Sequence, residues 1–153
     1  MQVEIIADSR HYQTKDRLTT FEIEIPRVIL PQLLTHRAFS RNTQSNRAVP
    51  IEKTIEQVTD NPYVPDFRLN KAGMQPGETL TMKDQHKCKL IWIQAMNAAI
   101  ESARKLADSG VHKQWVNRLL EPYQYIKVIV TSSKPGLDNF FELRAHEDAQ
   151  DEI

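Results

Sequence analysis

Thr35-His36-Arg37-Ala38-Phe39-Ser40-Arg41-Asn42-Thr43-Gln44-Ser45-Asn46-Arg47 carries three guanidiniums, an imidazole and a run of hydroxyl and amide side chains in thirteen positions, with no carboxylate. The acid-free zone is wider, from Glu24 to Glu52, although the whole chain balances 20 basic against 20 acidic residues. Guanidinium forks match phosphate oxygens bidentately, so a local excess of Arg among Ser, Thr and Asn suits the holding of phosphate. Taken alone, the stretch also suits a solvated basic loop. Two features favour binding: the apolar run from Val28 to Leu34 anchors the segment, and its short polar side chains lose little rotamer freedom on ordering.

The rest of the composition narrows the classes. A chain of 153 residues is expected to form one domain, 1–153, with a real core. Zero formal net charge argues against a general nucleic-acid or membrane-surface binder. No apolar run approaches the ~20 residues of a membrane span, and Met1-Gln2-Val3-Glu4 lacks a secretory pattern. The single cysteine, Cys88, forms no intrachain disulfide and fits a reducing cytosol, so a cytoplasmic location is expected. Four glycines, none in a Gly-x-Gly or P-loop arrangement, mean that a bound nucleotide is not held by a glycine-rich loop. His11, His86, His112 and His146 lack metal-ligand spacing, and no metal site is proposed.

Along the chain, Gln2 to Ile6 reads as a short strand and Ser9 to Thr20 as a turn or loop. Phe21-Glu22-Ile23-Glu24-Ile25 alternates strictly, a half-buried strand with its glutamates outward, ended by Pro26. Pro31 suits the first turn of a helix running through Gln32 to about Arg37, where the polar loop begins. Pro50 opens a second helix with Ile51, Ile55 and Val58 on one side. Asn61 to Thr81 reads as a surface excursion.

Thr81 or a residue near it caps the longest helix, about Met82 to Ser109, and Gly110 ends it. Cys88, Trp92, Ala95, Met96, Ala99, Ala103 and Leu106 form its stripe, and Ile91, Ile93 and Ile100 widen the apolar surface, which suggests contact with a partner subunit. Cys88, among core positions, reads as a small buried hydrophobe rather than a nucleophile. Val111 to Leu120 is a short helix with Trp115 and Leu119 on one side and Arg118 near its end, and Tyr125 to Thr131 a β-branched strand buried on both faces or nearly so. Residues 132–136 turn the chain, and Asp138 or Asn139 caps a helix beginning at Phe140.

His36-Arg37, seven residues, Ser45 and then Arg47 resembles the signature of the flavin-dependent (alternative) thymidylate synthases, with Thr35 in place of the usual first Arg. Three later segments extend the resemblance in order and spacing: Val116 to Pro122 around Arg118, Asn139 to Arg144, and Ala149-Gln150-Asp151-Glu152-Ile153. The likeness covers roughly Phe21 to Ile153 and is to shorter, Thr-His-Arg members of the kind encoded by phages.

The resemblance implies an α+β fold, a small mostly antiparallel sheet flanked by long helices. It implies conversion of dUMP to dTMP with methylenetetrahydrofolate as carbon donor, FAD as redox carrier and NADPH as reductant. It also implies a homotetramer with dUMP and FAD between subunits, in the cytoplasm, of a host cell if phage-encoded. By matching position, Arg144 is the catalytic residue and contacts the uracil. Ser45 and Arg47 bind the dUMP phosphate, and Gln32, Thr43, Gln44, Asn46 and Arg118 complete the nucleotide set. Thr35, His36, Arg37, Thr43, Ser133 and Asn139 lie against FAD. No base is visibly paired with Ser45, so anchoring is a simpler role for it than nucleophilic attack. Relatives continue beyond the position of Ile153 with a further helix, which on this reading is missing.

The alternative is a catalytically silent nucleotide- or flavin-binding homologue, or an assembly subunit. A nucleic-acid module built on the Arg37–Arg47 loop ranks last, because only Phe39 is at hand for base stacking.

Overall fold

The alternation of Phe21, Ile23 and Ile25 with Glu22 and Glu24 places one apolar row on a single face of a strand, and the sheet of the protein is built on that strand. The computed structural model describes residues 1–73, 75–146 and 149. They form two compact units, Met1–Ser45 with Tyr125–Ile153, and Asn46–Gln124.

The first unit holds a four-stranded antiparallel sheet in the order β1-β2-β4-β3, from β1 (Gln2–Arg10), β2 (Arg17–Pro26), β3 (Ser40–Thr43) and β4 (Tyr125–Ser133). Ile23 pairs with Val128 and Ile25 with Ile126, so two apolar rows share one face. Ile25, Ile126, Val128 and Val130 pack there with Ile29, Leu33 and Phe39 to form the core. On the other face Lys127 Nζ pairs with Glu22 at 2.5 Å.

Four expectations are corrected here. The loop placed at Ser9–Thr20 shrinks to residues 11–16, because Arg17 holds both carboxylate oxygens of Asp8 (2.8 and 2.7 Å) and carries the hairpin further than its polar sequence suggests. β4 is buried on one face only: Ile126, Val128, Val130 and Ser132 are inside while Lys127 is exposed. Its β-branched residues reflect the preference of a pleated strand, not cover on two sides. The polar segment after His36 is in part a strand, since Ser40–Thr43 pairs with Val128–Thr131 through main-chain bonds that need no apolar pattern. No turn separates β4 from the last helix either. Ser133 stands at the N-cap of α5 (Lys134–Arg144) and Pro135 lies in its first turn, so Asp138 and Asn139 are inside the helix instead of capping it.

The helix predicted to run to Arg37 is also shorter. A 3-10 turn over Arg27–Ile29 leads into α1 (Leu30–Leu33), one turn with Pro31 at its start. The Arg41 guanidinium explains the early stop, since it takes the carbonyls of Leu34 (2.5 Å), His36 (3.1 Å) and Phe39 (2.7 Å).

The second unit is helical: α2 (Ile51–Asp60), α3 (Met82–Asp108), α4 (Lys113–Val116) and a 3-10 helix over Asn117–Tyr123. Thr81 caps α3 by accepting from the Asp84 amide, and Gly110 follows with φ +78°, a left-handed conformation that suits glycine. Ile55, Val58, Met96, Ile100, Ala103, Val116, Leu120 and Tyr123 form the core. Cys88 is half-buried, while Leu90 and Ile91 are more than half exposed. The single helix expected over Val111–Leu120 divides at Asn117, where Pro122 downstream suits the tighter 3-10 winding better than a continued α-helix. Residues 61–81 are irregular, yet Trp92 Nε1 donates to the Tyr63 carbonyl (2.8 Å) and Gln85 Nε2 to that of Phe67 (2.6 Å), so the excursion is tied to α3.

A small antiparallel sheet with helices, one of them 27 residues long, makes the protein α+β as expected. Among the described residues no helix is long and apolar enough to cross a membrane.

Candidate functional site

In the first unit, Arg144 near the end of α5 and His36 just beyond α1 meet. The Arg144 Nε–H donates to His36 Nε2 at 3.0 Å. Arginine only donates, so Nε2 carries the lone pair and the ring proton sits on Nδ1. Burial, and then the charges of Arg144 and Arg41, hold the His36 pKa below its ordinary value and keep the ring neutral at neutral pH. Phe140, one turn before Arg144 on α5, meets the His36 ring edge-on at 4.9 Å, and Phe39 lies 5.0 Å from Phe140. The pair therefore stands against aromatic walls, and among the described residues no carboxylate bonds to Arg144.

Close packing fixes this arrangement. Gly136 is buried where a Cβ would collide with Ser132 Oγ and press on Ala38 Cβ at 3.3 Å, so α5 lies directly on the segment after His36. Arg41 fixes the same segment through its three carbonyl bonds, with its Nε buried and unpartnered among the described residues.

Thr35 Oγ1 donates to the Gln32 carbonyl at 2.7 Å. Gln32 Oε1 is buried with no hydrogen-bond partner among the described residues. Arg37, Gln44, Ser45, Ser133 and Asn139 are exposed, and Thr43 is half-buried opposite Val128 at the end of β3.

In the second unit, Asn46 Nδ2 donates to Glu121 Oε1, and the buried Asn117 Nδ2 donates to the carbonyls of Asn46 (3.1 Å) and Val49 (3.0 Å). Arg47, inside that loop, is exposed. The Arg118 guanidinium lies over the Trp115 ring, 4.9 Å from its centroid. Trp115 and Leu119, expected on one side of a helix, are its exposed side, opposite Val116 and Leu120.

Sequence reasoning missed Arg41, Phe140, Asn117 and Trp115. Arg41 sits among Arg37 and Arg47 with nothing to distinguish it as structural. The spacing of four between Phe140 and Arg144 is the one signal that could have linked that pair. Of the last motif segment, residues 150–153 lie outside the described residues.

A cleft of about 390 Å³ lies elsewhere, on the outer sheet face, lined by Gln2, Val3, Glu4, Glu22, Glu24 and Lys127. Three carboxylates against one ammonium repel a phosphate, and none of the candidate residues lines it.

The chain matches the family described as thymidylate synthase complementing protein over residues 4–153. It is 29% identical over 135 residues to the flavin-dependent thymidylate synthase of Pyrococcus furiosus, covering 88% of this chain and 49% of that protein. The chain thus spans about half the length of that curated relative. Among solved structures it resembles the UMP/dUMP methylase PolB from Streptomyces cacaoi bound with 5-Br UMP, with a TM-score of 0.79 and 20% identity, covering 99% of this chain and 82% of that one. The same methylase bound with 5-Br dUMP gives a TM-score of 0.70 and 24% identity, covering 90% and 61%. At these identities the likeness shows a shared fold.

Proposed function

The chain belongs to the thymidylate synthase complementing protein family, and we propose that it is a flavin-dependent thymidylate synthase, converting dUMP to dTMP with methylenetetrahydrofolate and NADPH through FAD. The observation that carries this reading is the Arg144–His36 pair. A guanidinium anchored by a carboxylate has much of its field cancelled. One anchored by a neutral imidazole keeps its full charge, and its terminal NH2 groups remain for a ligand. Arg144 would direct those donors at the uracil ring and stabilise the negative charge that develops as C5 becomes nucleophilic.

Other residues take supporting roles. Gln32 Oε1, a buried acceptor without a partner among the described residues, suits a pyrimidine N–H donor. Ser45, Arg47 and Arg118, with Thr43, Gln44 and Asn46, would bind the nucleotide and its phosphate. The donor set of Thr35, His36, Arg37, Thr43, Ser133 and Asn139 fits FAD, because the exposed hydroxyl, amide and guanidinium groups match a diphosphate and the polar edge of a flavin. Bound there, FAD would supply the redox chemistry; the chain supplies position and electrostatics. A homotetramer in the cytoplasm is the assembly and location that go with this reading.

The test is a spectrum of the pure protein reconstituted with FAD. Flavin absorption that bleaches faster with NADPH when dUMP is present supports the proposal. Protein that binds dUMP but takes up no flavin supports the alternative, a catalytically silent homologue or assembly subunit. Thr35 favours that alternative, since its side chain offers no cation.

A further inference from the structure

Asn117 has 0% exposure and lies between Val116 and Leu120, both core residues. A buried primary amide is costly unless its groups are bonded. Its Nδ2 spends its two protons on the carbonyls of Asn46 (3.1 Å) and Val49 (3.0 Å), which bracket Arg47 and Ala48, while its Oδ1 has no partner among the described residues. An amide placed only to fill space would be replaced at lower cost by an apolar side chain, so the two donated bonds explain why it is there. Two further tethers come from the same stretch: Glu121 accepts from the Asn46 side chain, and Lys113 Nζ reaches the Ala48 carbonyl at 3.4 Å. These bonds fix the loop backbone on both sides of Arg47, an exposed residue, and the residue after Asn117 is Arg118, its guanidinium resting on Trp115.

We propose that Asn117 is a positioning residue for the dUMP phosphate, a clamp that ties the loop carrying Arg47 to the segment carrying Arg118. This rests on the reading of Arg47 as a phosphate ligand. Holding the loop before the nucleotide arrives removes the entropy cost of ordering it on binding, and that gain is confined to ligands that bear the phosphate.

The test compares affinities for dUMP and for deoxyuridine, by calorimetry, in the full chain and in Arg47→Ala, Asn117→Ala and the double variant. Asn117→Ser keeps a hydroxyl donor in the pocket and serves if the alanine variant does not fold; circular dichroism matching the parent selects the temperature of measurement. Asn117→Ala is expected to weaken dUMP by about tenfold and deoxyuridine by less than about twofold. The double variant is expected to bind dUMP no worse than Arg47→Ala alone, because the clamp acts through Arg47. Equal losses for the two ligands, or additive losses for dUMP, overturn the clamp. If Arg47→Ala leaves dUMP affinity unchanged, the phosphate reading itself fails and the clamp falls with it. If Arg47→Ala weakens dUMP and Asn117→Ala does not, the clamp alone fails.

Discussion

Arg144 donates to Nε2 of His36 at 3.0 Å across 108 residues of sequence, and the imidazole that receives the bond is neutral. The pairing makes two chemically different residues one device: the ring orients the guanidinium without cancelling its charge. Replacing Arg144 by alanine should therefore lower turnover about 100-fold or more, the scale seen on removing a donor aimed at developing charge. Arg144→Lys keeps the charge but not the fork and should stay well below the parent. Steady-state NADPH oxidation with dUMP measures both, and a variant with parental turnover contradicts the role.

The same pair sets a pH dependence. The folded pKa of His36 lies below its ordinary value of 6.5, so the unfolded chain takes up this proton first as pH falls. The stability that His36 contributes is fully present above 6.5 and is lost as pH falls from there through the folded pKa. Arg41 and Arg144 are the charged groups that depress it, and both remain cationic throughout. Urea midpoints at pH 7.5 and 5.5 should differ more for the parent than for His36→Asn. Equal differences would count against a neutral, half-buried imidazole.

Arg41 is predicted to be structural. Arg41→Ala exposes or orphans the carbonyls of Leu34, His36 and Phe39. It should cost about 1–3 kcal/mol in a urea melt. Arg41→Lys should recover little of that, because one ammonium cannot span three carbonyls. An unchanged midpoint for either variant would show that α1 ends for another reason.

Gly136→Ala should destabilise by about 1–3 kcal/mol, since overpacking forces Ser132 to rotate and strains the approach to Ala38. Adding Ser132→Ala removes the nearer clash and should restore part of the loss. A Gly136→Ala protein as stable as the parent would mean that α5 can move off the segment.

Arg47→Ala should raise the KM for dUMP with little change in kcat, the pattern expected when a binding interaction common to ground and transition states is removed. An unchanged KM places the phosphate elsewhere.

Much of this was legible in the sequence because it rests on local rules. The alternation from Phe21 to Ile25 gave β2, and Thr81 with Gly110 bracketed α3 to within a residue. The same logic misread Ser40–Thr43 and Ser9–Arg10, where main-chain pairing and the Asp8–Arg17 bridge hold polar residues in strands. It misread Gly136 as a turn glycine, when close approach to Ala38 explains it. For the candidate site, the basic stretch announced its chemistry but not its division of labour. Arg37, Arg41 and Arg47 look alike in sequence, and only the carbonyls of Leu34, His36 and Phe39, just beyond α1, single out Arg41. The partnership of His36 with Arg144 spans the fold and has no sequence pattern at all.

The most direct measurement is product formation. The full chain, loaded with FAD and given dUMP, methylenetetrahydrofolate and NADPH, should yield dTMP in step with NADPH consumed, and Arg144→Ala, folded and flavin-loaded, should yield almost none. Formation of dTMP at the parental rate by Arg144→Ala, or its absence from the folded, flavin-loaded parent, would contradict the proposal.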